Sequence, residues 1–362
     1  MKYKNLALSL TLAFAMFFTN FGTAKAGGGG EDFNIGEMIF HHILDAHEWH
    51  IATLKNDDGT EKHISIPLPV ILYTDSGIDF FMSSAFHHGE KKSFGNQTGF
   101  VHEKYILFHE HIYYAEGFTV NAEGKGEGKA PLDFSITKNV ASLLISAILM
   151  MLVFTGVSGA YAKRQGQAPK GMQSFFEPII VFVRDEIVRP NIGEKHYKKY
   201  LPYILTLFFF IWINNLLGLL PTGANLTGNI SFTFTMAAIT LIATLVSGNG
   251  HYWRHILAMP GVPVPILLIL TPVEIIGIFT KPFALMMRLF ANIMAGHTII
   301  LSLIGIIFIF QSGFVGIPVT AFVFAMFLLE LFVAALQAFI FSLLTALFIG
   351  QAVEEGHHEE HH

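Results

Sequence analysis

The chain has 362 residues, 52% of them hydrophobic and only 14% charged, with a net charge of −5 and no cysteine. A water-soluble domain carries about 25% charged residues, so this composition, with a mean hydropathy of +0.52, excludes a soluble enzyme and predicts a polytopic membrane protein. Without cysteine there is no disulfide framework, thiolate metal site or redox pair.

Residues 1–26 read as an export signal. Lys2 and Lys4 form a basic start, Leu6 to Phe18 a short apolar core, and Ala24-Lys25-Ala26 a small-residue cleavage site. The alternative is an ordinary first span, for which the core is short. Both deliver the next segment outside the cytoplasm. Residues 27–132 form a His-rich extracytoplasmic extension of mixed α/β character. Phe33 to Thr53 predicts a helix, because Phe40, Ile43, Leu44 and His47 recur at three- and four-residue steps. His63 to Tyr73, Ile78 to Ser83 and Tyr105 to Tyr114 predict strands, and Gly124 to Lys129 a flexible linker. His41, His42, His47, His50, His87, His88, His102, His109 and His111 match no defined zinc spacing. They read as solvated or weakly metal-binding residues, and no metal site is expected.

Residues 133–353 form the membrane domain, followed by a His/Glu tail, 354–362. Val140 to Ala160 is long enough to span. Tyr161 to Tyr200 contains Lys163, Arg164, Lys170, Arg184, Arg189, Lys195, Lys198 and Lys199, which the positive-inside rule places in the cytoplasm. Within it, Phe175 to Val188 predicts an amphipathic surface helix. Leu201 to Leu220 and Phe232 to Val246 predict a hairpin whose outer turn holds Asn214, Asn215, Pro221, Asn225 and Asn229. The last two apolar runs, Val264 to Phe310 and Phe314 to Gly350, are too long for upright spans. From Pro318 the second would be about 48 Å long at about 1.5 Å per residue. A hydrocarbon core of about 30 Å then demands a tilt near 50°, against the usual roughly 20°. Two steeply tilted antiparallel helices are expected, with kinked spans or a re-entrant turn as the alternative. The predicted fold is therefore an all-α polytopic membrane protein, with transmembrane hairpins and two long tilted helices, carrying a small mixed extension.

Arg288 is the only Lys or Arg between Lys281 and the tail. A guanidinium stays protonated in proteins, and at mid-bilayer it costs at least roughly 2.5–3.5 kcal/mol. Up to Gln351 the only acidic residue downstream is Glu330, which directs attention to a negative group on another subunit. Ala284, Ala291, Asn292 and Ala295 share the Arg288 face at helical spacing, and Ala334, Ala338, Ser342 and Thr345 form a second stripe beside Gln337. Small residues allow close helix approach in lipid, either within this chain or against a partner; the charge favours the partner. Glu274 lies fourteen residues before Arg288 on nearly the same face, about 21 Å along an unbroken helix, whereas His297 looks away.

The runs Arg288-Leu-Phe-Ala-Asn292-Ile-Met-Ala-Gly-His297, Leu336-Gln337-Ala-Phe-Ile-Phe341 and Asn214-Asn-Leu-Leu-Gly-Leu-Leu-Pro221 resemble subunit a of F-type ATP synthases. The resemblance covers about residues 133–353, with His41-His42-Ile43-Leu44 as a short addition. It implies a non-catalytic stator with two proton half-channels beside a rotating c-subunit ring. The implied partners are that ring, the b-subunit peripheral stalk, the rest of the complex and the lipid bilayer. No cofactor and no nucleic acid are implied. Arg288 would face each ring carboxylate, with Asn292 and Gln337 as polar neighbours. His297, Glu330, Asn215 and Asn229 would line the outer half-channel, and Glu274 the inner one. Gly218 stands where many family members carry an acidic residue. A buried ion pair is the bland reading of His297 with Glu330, and surface charge that of Glu274. The implied location is a bacterial inner membrane, with the extension periplasmic and the C-terminus cytoplasmic. An anion or metal-ion secondary transporter is the other class considered, although no inverted repeats or paired membrane-embedded ligands are visible in the sequence.

Overall fold

The computed structural model describes residues 45–354, apart from 56–60, 88, 95–96, 122–123, 164–165, 221–222, 260–261 and 311–312. The expected signal, His41, His42 and residues 355–362 lie outside the described residues.

Strands dominate the described part of the extension, in four antiparallel sheets. β1 (Glu48–Lys55) pairs with β2 (Glu61–Pro67), and this corrects the helix expected to run to Thr53. β2 supplies backbone partners on both sides of a bulge at Ile51, where the extra residue interrupts the alternation. Residues 33–44 of that expected helix lie outside the described residues. The run His63 to Tyr73 divides at Leu68, because β3 (Pro69–Thr74) leaves β2 to join β4 (Gly77–Met82). A short helix, α1 (Ser84–His87), leads into β5 (Glu90–Phe94), β6 (Gln97–His102), β7 (Tyr105–Phe108) and β8 (His111–Tyr114). The single strand expected over Tyr105 to Tyr114 is thus a hairpin. Its turn residues His109 and Glu110 have φ of 47° and 62°, a conformation usually signalled by Gly or Asn. Gly124 to Lys129 is no linker either, since β10 (Gly126–Glu127) folds back on β9 (Thr119–Val120). A Cβ at Gly126 would meet the Phe118 ring at 2.8 Å, so glycine permits that approach. β11 (Leu132–Asp133) closes the sheet in the order β11-β3-β4.

The histidine expectation also needs correction at one position. His47 is 4% exposed, with Nε2 2.9 Å from Asp133 Oδ2 and Nδ1 4.0 Å from Glu110 Oε2. It is a buried structural pin, not a solvated side chain. Next to it, the Asn139 amide and the Thr137 hydroxyl donate to the Asp45 carboxylate. This ties the extension to the start of α2 (Lys138–Lys163) and satisfies one of the amide donors left open at a helix N-terminus.

Among the described residues, five helices are long and apolar enough to span a membrane. They are α2, α5 (Tyr197–Gly218), α6 (Ile230–Ser247), α8 (Val264–Phe310) and α9 (Gly313–Val353). The two last helices have 47 and 41 residues. At about 1.5 Å per residue each is about twice the thickness of a hydrocarbon core of about 30 Å. α8 runs unbroken through Pro272 and Pro282, without the re-entrant turn held open as an alternative. The expected amphipathic helix is present and longer than expected, running from α3 (Met172–Phe182) through a π-helical turn, Val183–Val188, into α4 (Arg189–Ile192). Val183, Ile187 and Val188 are wholly buried in one core with Ile204, Phe209, Leu285, Leu289, Phe341 and Ile349. Its apolar face therefore rests on the helix bundle. A Cβ at Gly350 would strike the Asn191 carbonyl, so the end of α9 and the basic segment meet closely at the same end of the bundle.

Burial lowers the basicity of His47, but its bonds to Asp133 and Glu110 outweigh this and raise the pKa to about 9. A raised imidazole adds stability fully below about 6.5, the unfolded value, and loses it as pH rises through about 9. Thermal unfolding of the extension in the full-length chain should occur at falling temperature between about pH 7 and pH 9.5. His47→Ala should flatten that dependence; an unchanged slope would show that His47 does not carry it.

Candidate functional site

Arg288 lies on the outer surface of the helix pair α8/α9. It is exposed, and so are Ala284, Met287, Ala291, Asn292 and Ala295, while Leu285, Met286, Leu289 and Ile293 between them are buried. The periodicity makes one apolar edge hold α8 in the bundle and leaves the small-residue edge free. Among the described residues Arg288 has no ion pair or hydrogen bond. It is the only Lys, Arg, Asp or Glu of α8 beyond Lys281, so the charge projects from a surface suited to lipid or to another membrane helix.

The second stripe faces the other way. Ala334, Ala338, Ser342 and Thr345 are each wholly buried and Gln337 is 4% exposed. α9 packs through this region against α5, α6 and α8, and Asn215 Nδ2 donates to the Ala334 carbonyl at 3.1 Å. The stripe expected to help form a partner surface is therefore internal packing, because small side chains let three helices close on α9. Among the described residues no hydrogen bond joins Gln337 to Arg288.

Glu330 is 2% exposed, and a Cβ placed on Gly296 would land on its carboxylate. The absent side chain at Gly296 is what gives Glu330 its seat, one residue before the half-buried His297. One turn along α9 from Glu330 is Ala334, and hence Asn215. Gly218, at the end of α5, lies next to Asn225, whose Oδ1 would be 3.7 Å from an added Cβ. These contacts form a connected sequence from the loop after α5 to the α8/α9 interface. Buried side-chain atoms along it lack a protein partner among the described residues: Asn214 Oδ1, Asn215 Oδ1, Asn225 Nδ2, Thr227 Oγ1 and Glu330 Oε1. Asn225 and Thr227 were not singled out from the sequence as site residues, where they look like ordinary turn formers. Asn229 has a structural task, its Oδ1 accepting the Ser231 and Phe232 amides at the start of α6.

Glu274 is found at the opposite end of the bundle. It is half-buried and close to Tyr252 of α7 (Gly250–Leu257). Burial, and then the Glu274 charge, push the Tyr252 hydroxyl above its usual range. One to two turns further, Lys281 Nζ donates to Gln351 at 3.3 Å beside a cleft that includes Thr244, Tyr252 and Phe348. The pairs Gly296 with Glu330 and Lys281 with Gln351 set α8 and α9 antiparallel. Arg288 lies between the two pairs along α8.

Comparison with known proteins matches residues 140–350 to the family described as ATP synthase A chain, and residues 38–134 to a domain of unknown function. The chain is 44% identical over 238 residues to ATP synthase subunit a of Chloroherpeton thalassium, covering 64% of this chain and 70% of that protein. It is 46% identical over 240 residues to ATP synthase subunit a 2 of Chlorobaculum tepidum, covering 64% and 66%. It is 42% identical over 285 residues to ATP synthase subunit a of Pelodictyon phaeoclathratiforme, covering 77% and 81%.

The Gly296 seat is open to direct test. The Glu330 carboxylate is the far end of a flexible side chain, so Gly296→Ala should insert and fold normally while the carboxylate swings aside. Glu330 should then react severalfold faster with a water-soluble carbodiimide, read by mass spectrometry of this chain. Equal labelling in both proteins would remove Gly296 as the residue that seats Glu330.

Proposed function

The chain belongs to the ATP synthase A chain family, and on that premise we propose that it is the stationary proton-conducting subunit of an F-type ATP synthase. It spans the membrane several times, and it moves protons while the chemistry of ATP takes place on other subunits. The single observation that carries the finer reading is the exposed Arg288 on an apolar helix surface, with no counter-ion among the described residues.

The passing group is the carboxylate of a rotating c-subunit ring. A fixed cation favours the ionised form of an acid brought near it, so the ring carboxylate releases its proton before it passes Arg288. The same charge repels a proton moving directly between the two paths. Asn292, one turn beyond Arg288 on the exposed edge, is the polar neighbour at that contact. Gln337 acts from inside the bundle, where it backs the α8/α9 interface at the same level.

The outer path runs through Asn225, Asn215 and Glu330 to His297. Buried polar groups without protein partners call for ordered water, and a line of such groups supports proton entry by water and side-chain relay. Asn229 holds the mouth in shape by capping α6. Where many family members carry an acidic group, Gly218 leaves its place to the Asn225 amide. The inner path ends near Glu274, at the end of the bundle shared with the basic segment. That segment is assigned to the cytoplasm by the positive-inside rule, which makes the C-terminus cytoplasmic and the extension periplasmic. The b-subunit peripheral stalk holds the chain against rotation.

One proton crossing 100 mV delivers about 2.3 kcal/mol, so several are needed for each ATP and a direct leak removes the drive. Arg288→Ala should therefore insert and assemble yet abolish ATP-driven pumping in membrane vesicles. Proton-driven synthesis at the normal rate by that variant would defeat the assignment. Glu330→Gln and His297→Ala should slow proton flow several-fold and change its pH profile. Identical profiles from mildly acid to mildly alkaline medium would make both residues structural.

A further inference from the structure

The three-stranded sheet β11-β3-β4 has apolar side chains on both faces. Toward the core, Val70 and Leu72 are wholly buried with Phe86 and Tyr105. On the other face Tyr73, Ile78, Phe80 and Leu132 are 54%, 70%, 66% and 62% exposed, and Phe134, just after β11, is 66% exposed. The register makes these a continuous patch. Leu132 lies opposite Tyr73 and Tyr73 opposite Ile78, with Phe80 next along opposite Ile71, and the Phe134 amide donates to the Ile71 carbonyl. An antiparallel sheet with one face in water alternates apolar with polar residues, whereas strands apolar on both sides belong to sheets covered on both sides.

The acidic residues of these strands are engaged in ion pairs elsewhere. Asp79 pairs with Lys104 at 2.8 Å and Asp133 with His47 at 2.9 Å. The exposed patch therefore carries no charge from its own strands, and a contiguous apolar surface of this kind marks an interaction site.

The chain's path identifies what covers it. The Ile136 amide donates to the Pro69 carbonyl, and α2 starts at Lys138, so the sheet leads directly into the first spanning helix. Phe134 is four residues from that start, at most about 14 Å of extended chain. α2 itself is lipid-facing: only 17% of its most apolar stretch is buried, and Leu144, Ile145, Ile148 and Leu149 are exposed. An apolar, uncharged surface that includes a tyrosine, joined to a lipid-facing helix, meets the physical requirements of an interfacial anchor. We infer that the face formed by Tyr73, Ile78, Phe80, Leu132 and Phe134 rests on the headgroup–acyl boundary of the leaflet that the start of α2 enters. The extension is thereby held against the membrane by a sheet in addition to its covalent link.

The natural absence of cysteine makes a clean test available. Phe80→Cys and, separately, Ile78→Cys would be labelled with an environment-sensitive fluorophore in the assembled complex reconstituted in liposomes. The control is Lys125→Cys, at an exposed turn. Phospholipids carrying a nitroxide near the headgroup should quench positions 78 and 80 severalfold more than position 125. Quenching equal to the control would place the face in water and overturn the inference. Protection from both lipid and aqueous quenchers, with crosslinking to another polypeptide, would overturn it equally by giving the surface to a protein partner.

Discussion

A guanidinium that cannot lose its proton stands on the outside of a largely apolar helix, and the rest of the membrane domain is arranged around that constraint. Placing such a group at mid-bilayer costs at least roughly 2.5–3.5 kcal/mol, and among its described residues this chain offers Arg288 nothing negative in return. A charge left without a mate in its own fold requires one from outside. The small residues on either side of it, Ala284, Ala291 and Ala295, allow that mate to come close.

The packing of α9 is the complement of that exposure. Its small and polar side chains, Ala334, Gln337, Ala338, Ser342 and Thr345, turn inward, where they draw α5, α6 and α8 together. This frees the outer edge of α8 and at the same time brings the polar groups of the proposed outer path into the interior. Glu330 sits at Gly296 near the middle of α9, and Lys281 meets Gln351 near the C-terminal end of α9. Arg288 lies between these two points. The geometry separates two polar regions along one pair of helices and puts a permanent cation at the level that divides them, which is the arrangement a rotary proton path requires.

The membrane helices are legible in the sequence because long apolar runs leave few options. Val264 to Phe310 is expected as one helix and is found with those bounds. Arg288, with its neighbours at three- and four-residue steps, is readable for the same reason. The direction of the α9 stripe is not, since small residues serve contact within a chain as well as contact between chains. The seat of Glu330 on Gly296 depends on which helix faces which, and spacing within one helix does not contain that. In the extension, the turn at His109 and Glu110 has a left-handed backbone without Gly or Asn to announce it, so two strands read as one. His47 looks like one more surface histidine in the sequence, because the residues that fix it, Glu110 and Asp133, are 63 and 86 positions away.

The central claim is that the Arg288 edge of α8 faces a moving carboxylate on another polypeptide. The variant Asn292→Cys, which gives this chain its single thiol, tests it through crosslinking to cysteines placed beside the acidic residue of the small ring-forming membrane subunit. The account predicts a disulfide with that subunit, formed on whichever ring copy is opposite when oxidant is added, and an arrest of rotation that reductant reverses. Failure to crosslink to the ring, with the introduced thiol instead reacting only with lipid-borne reagents, would contradict it.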